Sequence, residues 1–346
     1  MVYPGFRASL PHEEFRAIAG WCEANDVVHD VYGEGRALQT FEAKIAGLLG
    51  KPAAVFMPSG TLAQLIAIRI WTHRAGLDRF GMPPTSHLML HEREAYQALL
   101  HLHGAPVGER RRPLLASDLA AASQPLACLL VELPLREIGG QLPSWEELEA
   151  LKAVAKGHGI ALHMDGARLW ECAAFYRRTF AQIAEGFSSV YVSLYKGVGG
   201  LAGAVLAGDA DFIAEARLWQ RRLGGNLVGQ TAMLASAALR LDARLAALPA
   251  CYERALSLAH GLEGVSGLRV EPTTPQTNMM HIFLDAPPEA VTRRRDEMAA
   301  EDGVWVINEP RAADVPGWSV TELYVGDTLV GIENAEVVGR IARLLG

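Results

Sequence analysis

Short apolar runs alternate with amphipathic helical segments between about residue 36 and residue 245. Each run holds five or six residues, a length typical of strands, and the runs lie at 53–58, 87–91, 128–133, 160–165, 189–194 and 203–208. The segments between them have apolar residues at helical spacing, as in 144–159, where Ser144 and Glu147 have the spacing of a capping box. Because the runs are continuously apolar, both faces of each strand should be covered. The pattern therefore predicts a mainly parallel sheet between helices.

The C-terminal part of the chain has a different pattern. An alanine- and leucine-rich stretch at 230–262 predicts a helix that breaks near Pro249. We therefore expect a large domain at 31–245 and a small α+β domain at 246–346. The first 30 residues carry no strand signal, and we expect them to pack on the small domain or on a partner subunit. In the small domain, strands are expected near 268–271, 278–284 and 318–325, and helices near 287–300 and 333–345.

Composition and charge exclude several classes of protein. The 346 residues include 32 basic and 39 acidic side chains, which give a formal net charge of −7, and no predicted helix carries a basic stripe. Binding to nucleic acid or to an anionic membrane surface therefore has little support. No apolar stretch approaches the roughly 18 residues that read as a membrane span, and the N-terminus has no signal-peptide pattern. The four scattered cysteines favour a reducing compartment, so we expect a cytoplasmic protein.

The residues that directly follow a strand are the first candidates for a site, because ligands bind beyond the carboxyl ends of strands in open parallel sheets. Ser59, Gly60 and Thr61 follow the run 53–58 and open a helix. Hydroxyl groups and unpaired backbone N–H groups converge at such a point, where the helix dipole favours an anion. The arrangement fits a phosphate site or an ordinary helix N-cap.

Two further runs end near Asp165 and Lys196. Asp165 can accept a hydrogen bond from a protonated ring nitrogen, and Arg168 offers two donors to a carboxylate, although alone this pair is more typical of a local salt bridge. Lys196 precedes a string of glycines, a setting in which an amine can be approached closely and desolvated. A phosphate site, an acceptor for a basic ring nitrogen and a reactive amine together indicate pyridoxal 5′-phosphate.

A metal site is the alternative interpretation of the histidines. His87 and His91 lie four residues apart on a predicted strand, so they would share a face. No nearby cysteine completes a ligand set, and isolated histidines are more often surface or hydrogen-bonded core residues. We therefore expect no metal.

Six pieces of the sequence occur in the order of a known family. The chain resembles the threonine aldolase and aromatic amino acid β-eliminating lyase family of fold type I pyridoxal phosphate enzymes. The resemblance spans about residues 30–284 and implies a transferase-like α/β fold with a seven-stranded large domain. It also implies an amino acid substrate and a homodimer or homotetramer with shared active sites. The pieces are DVYGEGRALQTFEAKIAGLLGK, FMPSGTLAQLIA, LHMDGARLW, SLYKGVGGLAGAVLAG, RRLGGNLVGQ and QTNMMHIFL.

The resemblance also assigns roles to residues. Lys196 would hold the cofactor as a Schiff base, and Asp165 would bind the pyridine nitrogen. Arg168 would contact the substrate carboxylate or a cofactor hydroxyl, while Arg221 and Tyr32 would reach across to a neighbouring subunit. The cofactor contacts implied in this way are Ser59, Gly60, Thr61, Tyr96, Asp165, Arg168, Ser193, Lys196 and Arg221.

The sequence departs from the family at positions that bear on activity. Tyr96 stands where the family has a histidine over the cofactor ring, with His91 as the substitute if the register slips. A later loop offers Arg136 and Glu137 where the family has another histidine. Glu322 replaces a C-terminal arginine for the substrate carboxylate, and this inverted charge would repel a carboxylate or favour a substrate with a second cation. The expected catalytic residues are Lys196, Asp165 and Tyr96, and the expected substrate contacts are Arg168, Tyr32, His91, Arg136 and Glu322.

Three functions remain open at this level. The first is retro-aldol cleavage of a β-hydroxy-α-amino acid to glycine and an aldehyde, which is the reaction of the nearest branch of the family. The second is β-elimination, or another Cα transformation, on a different and possibly cationic amino acid. The third is a phosphate- or nucleotide-binding regulatory protein in which Lys196 is structural. Neither GxGxxG after a strand nor GxxxxGK[ST] occurs, which argues against the third.

Overall fold

Two compact units divide the chain, and the larger one carries the predicted parallel sheet. The structure is a computed structural model that describes residues 5–6 and 9–346. The large unit comprises Ser9–Glu137 and Leu142–Ala246. The small unit comprises Ile138–Gln141 and Ala247–Gly346, together with Gly5 and Phe6. The domain boundaries expected from the sequence stay predictions.

The sheet of the large unit has seven strands: β1 (Ala53–Met57), β2 (Arg79–Met82), β3 (His103–Pro106), β4 (Cys128–Glu132), β5 (Ala161–Gly166), β6 (Ser189–Ser193) and β7 (Ala204–Gly208). They lie in the order β1-β7-β6-β5-β4-β2-β3, and β7 is antiparallel to both of its neighbours while the other neighbours are parallel. Every residue of β4, β6 and β7 is buried, as the continuous apolar runs predict. The predicted fold class is confirmed.

Eleven helices accompany this sheet or leave it, at the bounds α1 (Pro11–Ala24), α2 (Arg36–Leu49), α3 (Gly60–Ala75), α4 (His87–Leu90), α5 (Ala95–Leu100), α6 (Ala116–Ala120), α7 (Trp145–Gly157), α8 (Ala173–Tyr176), α9 (Phe180–Ala184), α10 (Ala210–Arg222) and α11 (Thr231–Leu262) among the described residues. The capping box at the start of α7 is confirmed, because Ser144 Oγ accepts from Glu147 N at 3.2 Å and Glu147 Oε2 accepts from Ser144 N at 2.7 Å. The predicted break near Pro249 is wrong. Helix α11 continues through Pro249. The proline removes only one backbone hydrogen bond, whereas the helix has 32 residues and buries side chains both before and after the proline.

Strand prediction failed at one run and missed two strands. Residues 87–91 form helix α4 and its C-cap, because a five-residue apolar run does not by itself distinguish a strand from a buried helical turn. Strands β2 and β3 were not predicted, since each contains a glycine, Gly81 and Gly104, which weakens the strand signal. A Cβ at Gly81 would lie 2.8 Å from Leu129 Cδ1, so close packing explains why glycine occupies this position.

The small unit has its own antiparallel sheet and core. Strands β8 (Leu268–Glu271), β9 (Met279–Leu284), β10 (Arg311–Ala312) and β11 (Ser319–Tyr324) lie in the order β10-β11-β9-β8. Helices α12 (Pro288–Asp302) and α13 (Asn334–Ala342) belong to the same unit. Buried aliphatic side chains from both strands and helices, such as Ile282, Leu323 and Ile341, form one cluster. The predicted α+β arrangement of this region is confirmed.

The expectation that the first 30 residues pack on the small domain or on a partner subunit stays a prediction. Residues 9–30 belong to the large unit, where Glu14 of α1 is buried and pairs with Arg240 of α11. Gly5 and Phe6 belong to the small unit, where Gly5 N donates to Tyr324 O at 2.7 Å. Residues 1–4 and 7–8, which the same expectation included, lie outside the described residues.

Candidate active site

The carboxyl ends of three neighbouring parallel strands bring the candidate residues together. Glu132 at the end of β4 pairs in register with Asp165 on β5, and Lys196 follows the end of β6 by three residues. A single cleft is lined by His87, Glu132, Pro134, Arg136, Glu137, Asp165, Ala167, Arg168 and Lys196. Four of these residues, Asp165, Lys196, Arg168 and Arg136, are among the site residues that the sequence predicts.

Asp165 is a buried acceptor at the base of the cleft. The residue is only 1% exposed. Its Oδ1 accepts a hydrogen bond from Ala167 N at 3.0 Å, and its Oδ2 accepts one from Gln64 Nε2. Burial raises the pKa of Asp165 above its ordinary value, while the charge of Lys196 and the Ala167 hydrogen bond oppose this rise. The carboxyl group is therefore held in place by two donors, and the charge of Lys196 opposes the effect of burial on its pKa.

Lys196 is half-buried in the same cleft. Burial, followed by the charge of Arg168, lowers the pKa of its amine, while Asp165 and Glu132 oppose the change. A lowered pKa means that a larger fraction of the amine is neutral near pH 7 than for a lysine in water. A neutral amine is the nucleophilic form, so the lowered pKa is consistent with the predicted role of Lys196 as a nucleophile, which stays a prediction.

His87, rather than Tyr96, is the aromatic residue of the cleft. His87 begins α4, and its Nδ1 lies 3.1 Å from Oε1 of the buried Glu92. Tyr96 is 7% exposed and packs in an apolar cluster, where its ring meets Phe80 edge to face at 5.2 Å. Tyr96 does not line this cleft, and the expectation that it covers the cofactor ring stays a prediction.

Glu132 was also missed, although it lies at the carboxyl end of the predicted strand 128–133. Its Oε2 accepts from His87 N at 2.9 Å and its Oε1 accepts from Arg136 N at 3.2 Å, so one carboxyl group ties two loops of the cleft together. Burial, with the neighbouring Asp165 charge, raises the pKa of Glu132 to about 7. Two carboxyl groups at the ends of adjacent strands thus share the cleft with one lysine.

A pH prediction follows from Glu132. Its pKa is raised from 4.5 when unfolded to about 7 when folded, so its contribution to stability is complete below about pH 4.5 and is lost as the pH rises through 7. As the pH rises from about 6 to about 8, the unfolding free energy of the cofactor-free wild-type protein should fall. This fall should exceed that of the Glu132→Gln variant by on the order of 1 kcal/mol. Urea unfolding of both proteins at the two pH values measures this. Glu146→Gln on the exposed start of α7 is the control, and parallel pH profiles for wild type and Glu132→Gln would contradict the prediction.

The start of α3 has the features expected of a phosphate site. Ser59 is the N-cap, and its Oγ accepts from Leu62 N at 3.3 Å. The first N–H groups of a helix have no intrahelical acceptor, so those of Gly60 and Thr61 are available to an anion. A Cβ at Gly60 would lie 2.0 Å from Tyr191 Oη, which requires glycine here. Gln64, which binds Asp165, lies one turn further along α3, about 6 Å along the helix axis.

The other expected site residues lie as follows. Ser193 is buried at the end of β6, and its Oγ accepts from Tyr195 N at 3.4 Å. His91 Nε2 lies 2.9 Å from Glu137 Oε1 at the edge of the cleft. Tyr32 and Arg221 are exposed and line a second cleft of the large unit. Glu322 belongs to β11 of the small unit, in register with His281 on β9.

The described residues, 5–6 and 9–346, offer neither a metal site nor a membrane-spanning helix. No cluster of three or more His, Cys, Asp or Glu side chains there has the arrangement of metal ligands. No helix in that part of the chain has both the length and the apolar character that a membrane crossing requires.

The sheet order, the strand-end lysine and aspartate, and the small antiparallel unit define the fold of the fold type I pyridoxal phosphate-dependent enzymes. Residues 11–285 match the sequence model of the beta-eliminating lyase family, and the chain belongs to that family. It is an enzyme of the lyase class, as the resemblance implied.

Similar proteins cover nearly the whole chain. The crystal structure of a protein designated an L-allo-threonine aldolase, from Listeria monocytogenes, is 35% identical, covers 99% of this chain and 95% of its own, and has a TM-score of 0.92. A structure designated an aromatic amino acid beta-eliminating lyase/threonine aldolase, from Exiguobacterium sp., is 34% identical, with coverages of 99% and 96% and a TM-score of 0.93. Low-specificity L-threonine aldolase 1 of Arabidopsis thaliana is 27% identical over 298 residues, which are 83% of this chain and 82% of that protein.

Proposed function

We propose that this protein cleaves a β-hydroxy-α-amino acid to glycine and an aldehyde with pyridoxal 5′-phosphate as cofactor. The observation that carries the proposal is the placement of the Lys196 amine and the Asp165 carboxyl group in one cleft at the carboxyl ends of β5 and β6. The threonine aldolase names of relatives that cover most of the chain support the choice of reaction.

The residues present fit this cofactor. The ligand has an aldehyde, a basic ring nitrogen and a phosphate, and each of the three has a matching group in the large unit. Lys196 offers an amine of lowered pKa, and Asp165 is a buried carboxyl group with its two oxygens held by donors. The start of α3 offers backbone N–H groups and a position at Gly60 with no room for a Cβ.

Each residue then has a definite chemical task. Bound pyridoxal phosphate supplies an electron sink that weakens the bonds at Cα of an attached amino acid. Asp165 keeps a proton on the ring nitrogen, which deepens that sink. Arg168 offers the substrate carboxylate a two-pronged donor from the wall of the cleft. Glu92 holds Nδ1 of His87, so Nε2 is the nitrogen that takes the proton of the β-hydroxyl group.

The loop after β4 forms the substrate side of the cleft. Glu137 Oε1 accepts from Arg136 Nη1 at 3.0 Å and lies 2.9 Å from His91 Nε2. Arg136 and Glu137 both line the cleft, so this network presents both a cation and an anion to the side chain of a substrate. We propose Arg136 and Glu137 as the residues that select the substrate side chain.

A product screen tests the proposed reaction. Purified protein with added pyridoxal phosphate is given a panel of β-hydroxy and β-substituted amino acids, and glycine, aldehyde, keto acid and ammonia are measured. Glycine and aldehyde in equal amounts are the expected result. Keto acid with ammonia would replace the proposal by β-elimination. A protein that neither binds the cofactor nor turns over any substrate would contradict both.

His87 and Tyr96 give a paired test of the proton acceptor. His87→Phe keeps an aromatic ring but removes the acceptor nitrogen, so kcat for retro-aldol cleavage should fall about 10²–10⁴-fold. Tyr96→Phe removes only a hydroxyl group from a core ring, so kcat should change little. Steady-state kinetics of both variants with the best substrate of the screen decide the matter. A larger loss in Tyr96→Phe would return the role to Tyr96.

We also propose a homodimer or homotetramer in the cytoplasm, with active sites shared between subunits. An exposed apolar patch supports the assembly, because such patches mark protein interfaces, and it comprises Val28, Val31, Tyr32, Leu227 and Val228. Two chain segments meet in this patch, since Tyr32 N donates to Val228 O at 3.1 Å. The second cleft, with Arg221 and Tyr32, would receive a neighbouring subunit there. The four cysteines are free thiols, which suits a reducing compartment.

A further inference from the structure

A buried chain of hydrogen bonds runs from Asp165 away from the cleft. Gln64 Nε2 donates to Asp165 Oδ2, and Gln64 Oε1 lies 2.7 Å from His163 Nε2. His163 Nδ1 lies 2.8 Å from Ser189 Oγ, which in turn accepts from Trp71 Nε1 at 2.8 Å. We call these five residues the relay. Gln64, His163, Asp165 and Ser189 are each at most 1% exposed, and Trp71 at the far end is half-buried.

Regular secondary structure explains why these residues meet. Gln64 and Trp71 are seven residues apart on α3, so two helical turns place them on the same face. His163 and Asp165 are two residues apart on β5 and therefore point to the same face of the sheet. Ser189 begins β6 and pairs in register with His163. The relay thus lies along the contact between one face of α3 and one face of the sheet.

One set of donor and acceptor roles satisfies every link of the relay, starting from its far end. An indole N–H can only donate, so Trp71 gives its hydrogen to Ser189 Oγ. The Ser189 hydroxyl group then donates to His163 Nδ1, which makes Nδ1 an acceptor and places the imidazole hydrogen on Nε2. Nε2–H donates to Gln64 Oε1, and the Gln64 amide donates to Asp165. Every link therefore points its hydrogen toward Asp165.

The opposite polarity leaves groups without partners. It needs Gln64 to turn its carbonyl oxygen to Asp165, and an oxygen faces an oxygen there unless Asp165 is protonated. It also needs Ser189 Oγ to accept from both Trp71 and His163, so the Ser189 hydroxyl hydrogen has no acceptor within the relay. Buried polar groups without partners are costly, so the polarity with ionised Asp165 prevails. His163 adds no charge, because burial lowers the pKa of its imidazole to about 3.

We propose that Gln64 and His163 are positioning residues that hold Asp165 as an oriented anion, and that His163 is locked as the Nε2–H tautomer. Asp165 then keeps one donor on each oxygen before any ligand arrives. The benefit to pyridoxal phosphate rests on the proposed function, whereas the polarity of the relay does not. Tautomer and cofactor binding are therefore tested separately.

The tautomer is measured on the whole protein by NMR. In protein with ¹⁵N-labelled histidine at about neutral pH, the side-chain spectrum of His163 should show a protonated Nε2 and a bare Nδ1. The signal is assigned by its loss in His163→Gln. A protonated Nδ1, or an imidazolium ion, would overturn the proposed polarity. This result does not depend on whether the protein binds the cofactor.

Two matched variants measure the positioning effect. A glutamine at 163 extends far enough to place an amide donor near the position of Nε2, whereas an asparagine reaches only the position of Nδ1. His163→Asn should therefore weaken pyridoxal phosphate binding about tenfold or more, and His163→Gln should recover most of the affinity. Equilibrium titration of the visible absorbance gives both dissociation constants, and circular dichroism confirms that the variants are folded.

Equal losses in the two variants would overturn the positioning role, since a purely structural histidine has no reason to be rescued by glutamine alone. Trp71→Phe is the second test, and it serves if the substitutions at 163 prevent folding. It removes the donor-only end of the relay while keeping an aromatic ring for the stack on Phe212, whose centroid lies 5.0 Å away. The Nε2–H signal of His163 should then lose population to the other tautomer, and an unchanged spectrum would show that Trp71 does not set the polarity.

Discussion

Lys196→Ala should leave the protein colourless after incubation with pyridoxal phosphate and dialysis, and should lower kcat by more than about 10⁴-fold. The scale is that of removing a covalent nucleophile from an otherwise intact site. The structure supplies the reason, because the amine lies in the cleft with Asp165, and burial and Arg168 lower its pKa. Alanine offers no atom that can hold the aldehyde group, so the remaining contacts bind the cofactor only reversibly.

Visible absorbance and steady-state rates measure this prediction. Lys156→Ala is the matched control, because Lys156 is an exposed lysine on α7 of the same unit. The control should keep colour and activity. A coloured and active Lys196→Ala protein would remove Lys196 from the chemistry and, with it, the proposed function.

Much of the site was predictable because strand ends are recognisable in the sequence. The run that ends at Asp165 and the run that ends just before Lys196 are apolar and short, and the structure confirms them as β5 and β6. Since parallel neighbours end at the same edge, the meeting of these two residues follows from the fold class. The phosphate candidate at Ser59 follows in the same way from the transition between β1 and α3.

His87 shows where such reasoning fails. Five apolar and histidine residues in a row fit a strand and a helical turn equally well, and the choice depends on contacts with distant residues. Here His87 N is bonded to Glu132, 45 residues further along the chain. A strand over these residues gives no reason to choose His87 as the aromatic residue of the cleft.

The relay was missed for a different reason. Gln64 and His163 are polar residues at positions where the pattern expects apolar ones, one inside a buried helix face and one inside a buried strand. A buried polar residue must have a partner, so each was a detectable signal. The partner itself was not predictable, because the register that places Ser189 beside His163 joins segments 26 residues apart and is decided by packing.

Asp165→Asn should reduce kcat by about 10²–10³-fold, the scale on which a preorganised electrostatic contact acts. Asparagine has nearly the same shape, but it cannot balance a positive charge on a ring nitrogen. It also replaces one acceptor by an amide donor, while Gln64 Nε2 and Ala167 N both need acceptors at this position. The substitution therefore removes the anion and creates a conflict between donors at the near end of the relay.

The conflict gives Asp165→Asn a second readout. If the new amide faces Gln64, the Gln64 side chain must turn its oxygen toward residue 165, and His163 must then move its hydrogen from Nε2 to Nδ1. The same NMR measurement should show this reversal, in step with weaker binding of pyridoxal phosphate. Asp78→Asn, at an exposed position ahead of β2, should change neither property. A variant that keeps wild-type kcat within about threefold would contradict the electrostatic role of Asp165, because even one preorganised contact is worth more than that.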